Sequence, residues 1–224
     1  MKIAVFGATG ATGQSVVSQA LAADHQVLAL VRTPAKLKLT HDNLKVEEID
    51  IFNVTSREPY LLGCDSVISC LGNRSVSRAP TNTYSESMKN IVKAMTESGV
   101  RKLVTMTSWY TDGIKPPGLD SGISGMMLDK FLLMLKPTLE DMTHMETYLK
   151  SLTSTIKWTC IKPPGLTNKP ATGQEIKTAE GQYVEGCQMQ ISREDVAKFM
   201  LKIATIDDEL FSDQTVAIGI EEIK

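Results

Sequence analysis

The sequence predicts an α/β fold: a doubly wound parallel sheet with a small C-terminal elaboration on the substrate side. Three observations predict it. Strand-like apolar runs alternate with helix-like stretches along the chain. The strand-like runs are mostly apolar throughout, as expected when helices cover both faces. The N-terminus places a short apolar run directly before Gly7, Gly10 and Gly13, and then a stretch of good helix formers. A length of 224 residues with 42% apolar content suits one domain spanning 1–224.

In chain order, the first strand covers 3–6 and the first helix 12–23. Strands follow at 26–31 and 44–48, then a weak turn near 56–62 and a strand at 66–70. Residues 84–98 read as a helix, because Met88, Ile91, Val92 and Met95 fall at i, i+3, i+4 and i+7 on one face. Gly99 ends it. A fifth strand covers 102–107. The stretch 112–137 opens with Lys115-Pro116-Pro117-Gly118 and continues with Met126-Met127-Leu128 and Phe131 to Leu135. It reads either as a lid or apolar wall for a flat ligand, or as a helix buried on the sheet; burial is the preferred reading for 131–135. A helix at 140–152 and a strand at 157–161 complete the alternation. Pro163-Pro164-Gly165 breaks it, and 167–186 is polar and glycine-rich. Ser192-Arg193-Glu194-Asp195 opens a helix carrying Val196, Phe199, Met200 and Ile203, and a last strand covers 215–220.

Bulk properties exclude several classes. A net charge of −2 with a pI near 6.0 offers no basic field for nucleic acid or an acidic membrane surface. Cys64, Cys70, Cys160 and Cys187 show no metal-ligand spacing. Cys70 and Cys160 lie in apolar runs and read as buried free thiols, in keeping with a reducing, cytoplasmic compartment. No signal peptide is expected, since Met1-Lys2 leads directly into a strand. No apolar run approaches the roughly 18 residues a membrane helix needs.

The glycine spacing carries the chemistry. Gly7 lets the chain leave the strand in a tight turn. Gly10 removes a side chain where backbone must approach a pyrophosphate, and Gly13 lets the helix pack close to the strand. The helix N-terminus offers free N–H groups and partial positive charge. Thr9 and Thr12 add hydroxyls for the phosphate or for helix capping. At the end of the second strand, an NAD-preferring site carries a carboxylate for the ribose 2′-OH. Here Val31-Arg32-Thr33 presents a guanidinium, a bidentate partner for a 2′-phosphate, and Lys36 is either a second cation or a surface lysine. NADP(H) is therefore expected. Asp50 either accepts from the adenine amino group or caps a turn. Leu71 and Gly72 let backbone approach the cofactor, and Arg74 meets a phosphate, closes over the site or is solvated.

The motifs Gly-Ala-Thr-Gly-x-Thr-Gly at 7–13, Leu-Val-Arg at 30–32, Asp50, Leu71-Gly72-x-Arg74, Asn90-Ile91-Val92, Thr107-Ser108, Pro163-Pro164 and the helix from Asp195 occur in order. Together they resemble the biliverdin reductase B and NADPH-dependent flavin reductase family, among the atypical short-chain dehydrogenases, over nearly the whole chain. The resemblance implies a single Rossmann domain, a monomer, binding NADPH and then a flavin or linear tetrapyrrole. It places Gly7, Thr9, Gly10, Thr12, Arg32, Asp50, Leu71, Gly72 and Arg74 on the cofactor; their neighbours Ala11, Gly13, Lys36, Ile51 and Thr107 are expected there as well. Pro163 and Pro164 would line the nicotinamide side, and Ser108 would stand beside nicotinamide and substrate as the catalytic residue. Two departures lie at the substrate end. Gly165 replaces the histidine of the family's Pro-Pro-His, and the 112–137 stretch is longer than the family's loop.

None of the five tyrosines has a lysine four residues later, so the Tyr-x-x-x-Lys mechanism of carbonyl reduction is not expected. Hydride transfer to a planar acceptor asks less of the protein: alignment and exclusion of water. Trp109 and Tyr110 are candidates for stacking on the acceptor ring, and His144 reads as a surface histidine. Two alternatives stand beside the reductase: an NmrA-type sensor that binds the dinucleotide without turnover, and a reductase for a quinone or specialised metabolite.

Overall fold

The N-terminal run forms β1, Lys2–Phe6, a strand buried on both faces. Ile3 and Val5 point into one apolar cluster, Ala4 and Phe6 into the other. In this computed structural model residues 1–52, 60–73, 79–113, 122–153, 155–206 and 210–222 are described. After β1 come α1 (Ala11–Ala22), β2 (Gln26–Val31), β3 (Leu44–Glu48), β4 (Ser66–Ser69), α2 (Thr83–Ser98) and β5 (Lys102–Met106). Then follow α3 (Gly122–Lys150), β6 (Lys157–Lys162), β7 (Gly165–Thr167), β8 (Ile176–Ala179), β9 (Gln190–Ser192), α4 (Arg193–Thr205) and β10 (Gln214–Ile220).

The main sheet has the order β3-β2-β1-β4-β5-β6-β10-β8, parallel except where β8 runs antiparallel to β10. Helices α1 and α4 cover one face; α2 and α3 cover the other. Strand order reverses between β1 and β4, and such a reversal opens a crevice at the carboxyl ends of the strands. The expected fold is confirmed. The C-terminal elaboration consists of β8 and a separate two-stranded pair, β7 and β9. Ser192 caps α4 as its sequence signals: its hydroxyl accepts from the Asp195 N–H at 3.0 Å.

The stretch before Glu140 departs from expectation. No break precedes the predicted 140–152 helix; α3 begins at Gly122 and runs through Pro137. Proline removes the bond to the carbonyl four residues back, that of Leu133. Leu133 is 63% exposed, so water can serve the released carbonyl. The preferred burial of 131–135 is also corrected: Phe131 is 49% exposed and Leu133 63%, while Leu132 and Leu135 are half-buried.

Helix α2 receives its N-terminal cap from α3. The Asp141 carboxylate, 2% exposed, accepts from the N–H groups of Tyr84 (2.8 Å) and Ser85 (3.2 Å) and from the Ser85 hydroxyl (2.5 Å). Its own N-cap residue, Asn82, makes no side-chain cap. Asp141→Ala leaves buried donors orphaned and should cost about 2–3 kcal/mol of stability in denaturant unfolding. A change under about 0.5 kcal/mol would show that water replaces the carboxylate.

Candidate functional site: the dinucleotide cleft

The crevice between β1 and β4 holds a cavity of about 510 Å³. Its walls bring together Gly7, Thr9 and Gly10 from the first turn, Arg32 and Lys36 from beyond β2, and Ile51, Leu71 and Gly72 from beyond β3 and β4.

Local crowding explains two of the three glycines, Gly7 and Gly13. Gly7 has φ +73°, and a Cβ there would lie 2.5 Å from the Cys70 carbonyl oxygen of the neighbouring strand end. A Cβ on Gly13 would lie 2.2 Å from the Gly7 oxygen, so only glycine lets α1 sit this close to its own strand. At Gly10 a Cβ would meet only the Gly7 oxygen, at 3.3 Å. The protein leaves that side open, and it faces the cleft. Gly10 is also the N-cap of α1, with no side-chain cap and no acidic residue in the first turn. The first-turn N–H groups and the positive helix end therefore remain available to an anion. This bare, uncapped cradle fits a dinucleotide pyrophosphate. Gln14 pins the loop by donating to the Thr9 carbonyl at 2.9 Å. Thr12 is only 7% exposed and Gly13 is packed against Gly7, so both shape the turn from beneath. Ala11 faces a neighbouring groove between α1 and α4.

Arg32 and Lys36 are exposed at one end of the cleft, and no carboxylate pairs with either among the described residues. Thr33 and Phe52 also line this end. Of the two roles open to Asp50, the structure shows the turn: its Oδ1 accepts from the Phe52 N–H at 3.1 Å. Its neighbours Ile49, Ile51 and Phe52 form the wall instead.

Beyond β4, Asn73 holds the cleft wall in shape. Its amide donates to Thr138 Oγ1 on α3 (3.1 Å), and its carbonyl accepts from Thr81 Oγ1 (3.2 Å). Burial pushes the Tyr84 hydroxyl up to about 12, with the Asn73 backbone opposing the shift. That hydroxyl would lie 3.0 Å from a Cβ on Gly72. Asn73 and Thr83 line the cleft without having been singled out; the adjacency of Asn73 to Gly72 was the available signal. Cys70 is half-buried and lines the cleft, a correction to full burial, and desolvation pushes its thiol up to about 12. Arg74 lies outside the described residues.

Ser108, just past β5, is half-buried, and its hydroxyl has no protein partner among the described residues. Thr107 beside it is buried and donates to Glu146 Oε1 at 2.6 Å. Pro163 and Pro164 are buried just past β6. Gly165 starts β7, where its N–H donates to the Met189 carbonyl at 3.0 Å and a Cβ would approach that oxygen to 3.1 Å. The stacking role expected of Trp109 is corrected. The ring is 1% exposed, because its N–H donates to the Ile218 carbonyl at 3.0 Å and it packs on Tyr183 and Gly219. Tyr110 is likewise core, at 8% exposure, and presents no free face. His144 is exposed on α3. Among the described residues no group of three or more His, Cys, Asp or Glu side chains is placed to hold a metal ion. None of the described helices is long and apolar enough to cross a membrane.

Comparison with known proteins agrees with this geometry. The family described as NAD(P)H-binding matches residues 7–207. An uncharacterised chloroplastic protein of Arabidopsis thaliana is 29% identical over 220 residues, covering 94% of this chain and 74% of that protein. The oxidoreductase YlbE of Lactococcus lactis superposes with a TM-score of 0.74 at 18% identity, covering 99% of this chain and 92% of that one. ChuY, an anaerobilin reductase of Escherichia coli O157:H7, superposes with a TM-score of 0.73 at 20% identity, covering 100% and 99%.

Proposed function

The chain belongs to the NAD(P)H-binding family, and from that premise we propose that it is an NADPH-dependent reductase acting on a flavin or a linear tetrapyrrole. The observation that carries the NADPH part is the cleft itself: an uncapped α1 N-terminus at one point, and two cations with no carboxylate partner among the described residues where a 2′-phosphate would sit. The acceptor part has separate support. It comes from the motif resemblance, from a structural neighbour described as an anaerobilin reductase, and from the lack of a Tyr-x-x-x-Lys pair.

The bound dinucleotide supplies a hydride donor. The first turn of α1 binds its pyrophosphate, and Arg32 and Lys36 hold the 2′-phosphate by charge-assisted bonds. Gly72 and Asn73 give it a close wall. The buried Pro163 and Pro164 exclude water behind the nicotinamide side. Ser108 offers a hydroxyl with no partner among the described residues, at the end of β5, to orient the acceptor, whose proton comes from solvent. Ser108→Ala should lower kcat by about 5- to 50-fold, within the range of a lost orienting hydrogen bond, with the Kd for NADPH unchanged. Equal kcat for both forms would make the hydroxyl structural.

The reading is tested by NADPH consumption with FMN, riboflavin, biliverdin and a simple quinone. Saturable turnover with a flavin or biliverdin supports it. Preference for the quinone favours a different reductase on the same scaffold. Tight NADPH binding with no turnover favours a dinucleotide sensor of NmrA type.

A further inference from the structure

The core between the sheet and α3 contains a charged cluster that the cofactor cleft does not use. Lys162 is 0% exposed and Glu146 2%, and the Lys162 ammonium donates to Glu146 Oε2 at 3.1 Å. The other carboxylate oxygen accepts from the Thr107 hydroxyl at 2.6 Å. Cys160 Sγ lies 3.5 Å from that hydroxyl, and apolar residues dominate the rest of the cluster. A buried ion pair is an expensive way to stabilise a core, since well-packed apolar residues of similar volume do as well or better. Its value must lie in geometry.

The geometry is specific. Lys162 is the last residue of β6 and Thr107 the first beyond β5, so one carboxylate from α3 grips both strand ends. Each gripped residue adjoins a residue of the nicotinamide side: Ser108 follows Thr107, and Pro163 follows Lys162. The backbones continue the tie, with Thr107 N–H donating to the Ile161 carbonyl (2.9 Å) and Trp109 N–H to the Pro163 carbonyl (3.1 Å). We propose that Thr107, Glu146 and Lys162 are positioning residues, which fix the spacing between Ser108 and Pro163 and so hold the nicotinamide end of the cofactor in line with its acceptor. This rests on the reductase reading above. The cluster touches neither the phosphate sites nor the reacting atoms, so it acts on alignment and leaves dinucleotide affinity to the α1 end of the cleft.

The test is the double variant Glu146→Gln/Lys162→Met, which removes both charges together and leaves no lone buried ion. Its Tm, its Kd for 2′,5′-ADP, the fluorescence of bound NADPH and the kinetics with FMN are measured beside the wild type. The expected result is a Tm within a few degrees, an unchanged Kd for 2′,5′-ADP and a reduced fluorescence enhancement of bound NADPH. Turnover should fall about 10-fold or more in kcat, with the KM for FMN little changed. Lys162→Arg, which keeps the pair, should retain wild-type fluorescence and kcat. Wild-type fluorescence and kcat in the double variant would overturn the proposal. So would a loss that only follows the unfolded fraction. If the double variant does not fold, Thr107→Val severs only the β5 tie and should show the same fluorescence and kcat losses; wild-type values there overturn the proposal equally. A wild-type protein that never turns over, yet loses bound-NADPH fluorescence in the double variant, would refute the reductase reading while keeping the positioning role.

Discussion

Replacing Arg32 with alanine should weaken NADPH binding by about 10- to 100-fold while changing NADH affinity by less than about 2-fold. The argument is differential. A charge-assisted bond contributes about 1.5–3 kcal/mol, and only NADPH carries the 2′-phosphate that could receive it. Arg32 is exposed at the cleft end, with no carboxylate partner among the described residues, so truncation leaves no buried charge behind. Stability should therefore hold, and calorimetric titration with the two cofactors reads the ligand term alone. Equal losses for NADPH and NADH would remove the 2′-phosphate role. Lys36→Ala should act in the same direction and more weakly, because an ammonium lacks the bidentate geometry.

The second large effect is at Gly13. Alanine in a helix interior normally gains about 1 kcal/mol over glycine. Here that gain loses to contact with backbone: a Cβ would lie 2.2 Å from the Gly7 oxygen, 2.8 Å from its carbonyl carbon and 2.9 Å from Ala8 Cα. None of these is the end of a flexible side chain, so helix and turn must part. Gly13→Ala should cost about 3 kcal/mol, at the upper end for overpacking, and should weaken both cofactors because the cradle itself moves. Gly10→Ala is the matching contrast. Its Cβ would meet only one protein atom, at 3.3 Å, so stability should change little while NADPH and NADH both bind worse. Chemical denaturation and cofactor titration of the pair separate the two roles. Similar stability losses in both variants would contradict this division.

Local patterns carried most of the fold. The apolar runs that became β1, β2 and β5 needed only their own composition, and the glycine turn announced the crevice. What was not legible depended on distant partners. The apolar run through Phe131 and Leu135 reads as core, but its neighbours cover only one side of α3. Pro137 reads as a break, yet the helix tolerates it beside the exposed Leu133. Trp109 follows Ser108 and invites a stacking role; the Ile218 carbonyl and Gly219, more than 100 positions away in the chain, take its N–H and its ring instead. Asp50 had two uses by sequence, and the turn to Phe52 is the one the structure shows. Lys162 left one trace, a lysine closing an apolar strand. Its partner Glu146 sits on a helix whose pattern marks no special position.

The most direct test of the central claim is the rate of NADPH oxidation with FMN as acceptor, compared with NADH under the same conditions. Saturable turnover with a clear preference for NADPH is the predicted result. Tight binding of NADPH without oxidation, for FMN and for the other acceptors alike, would contradict the reductase assignment.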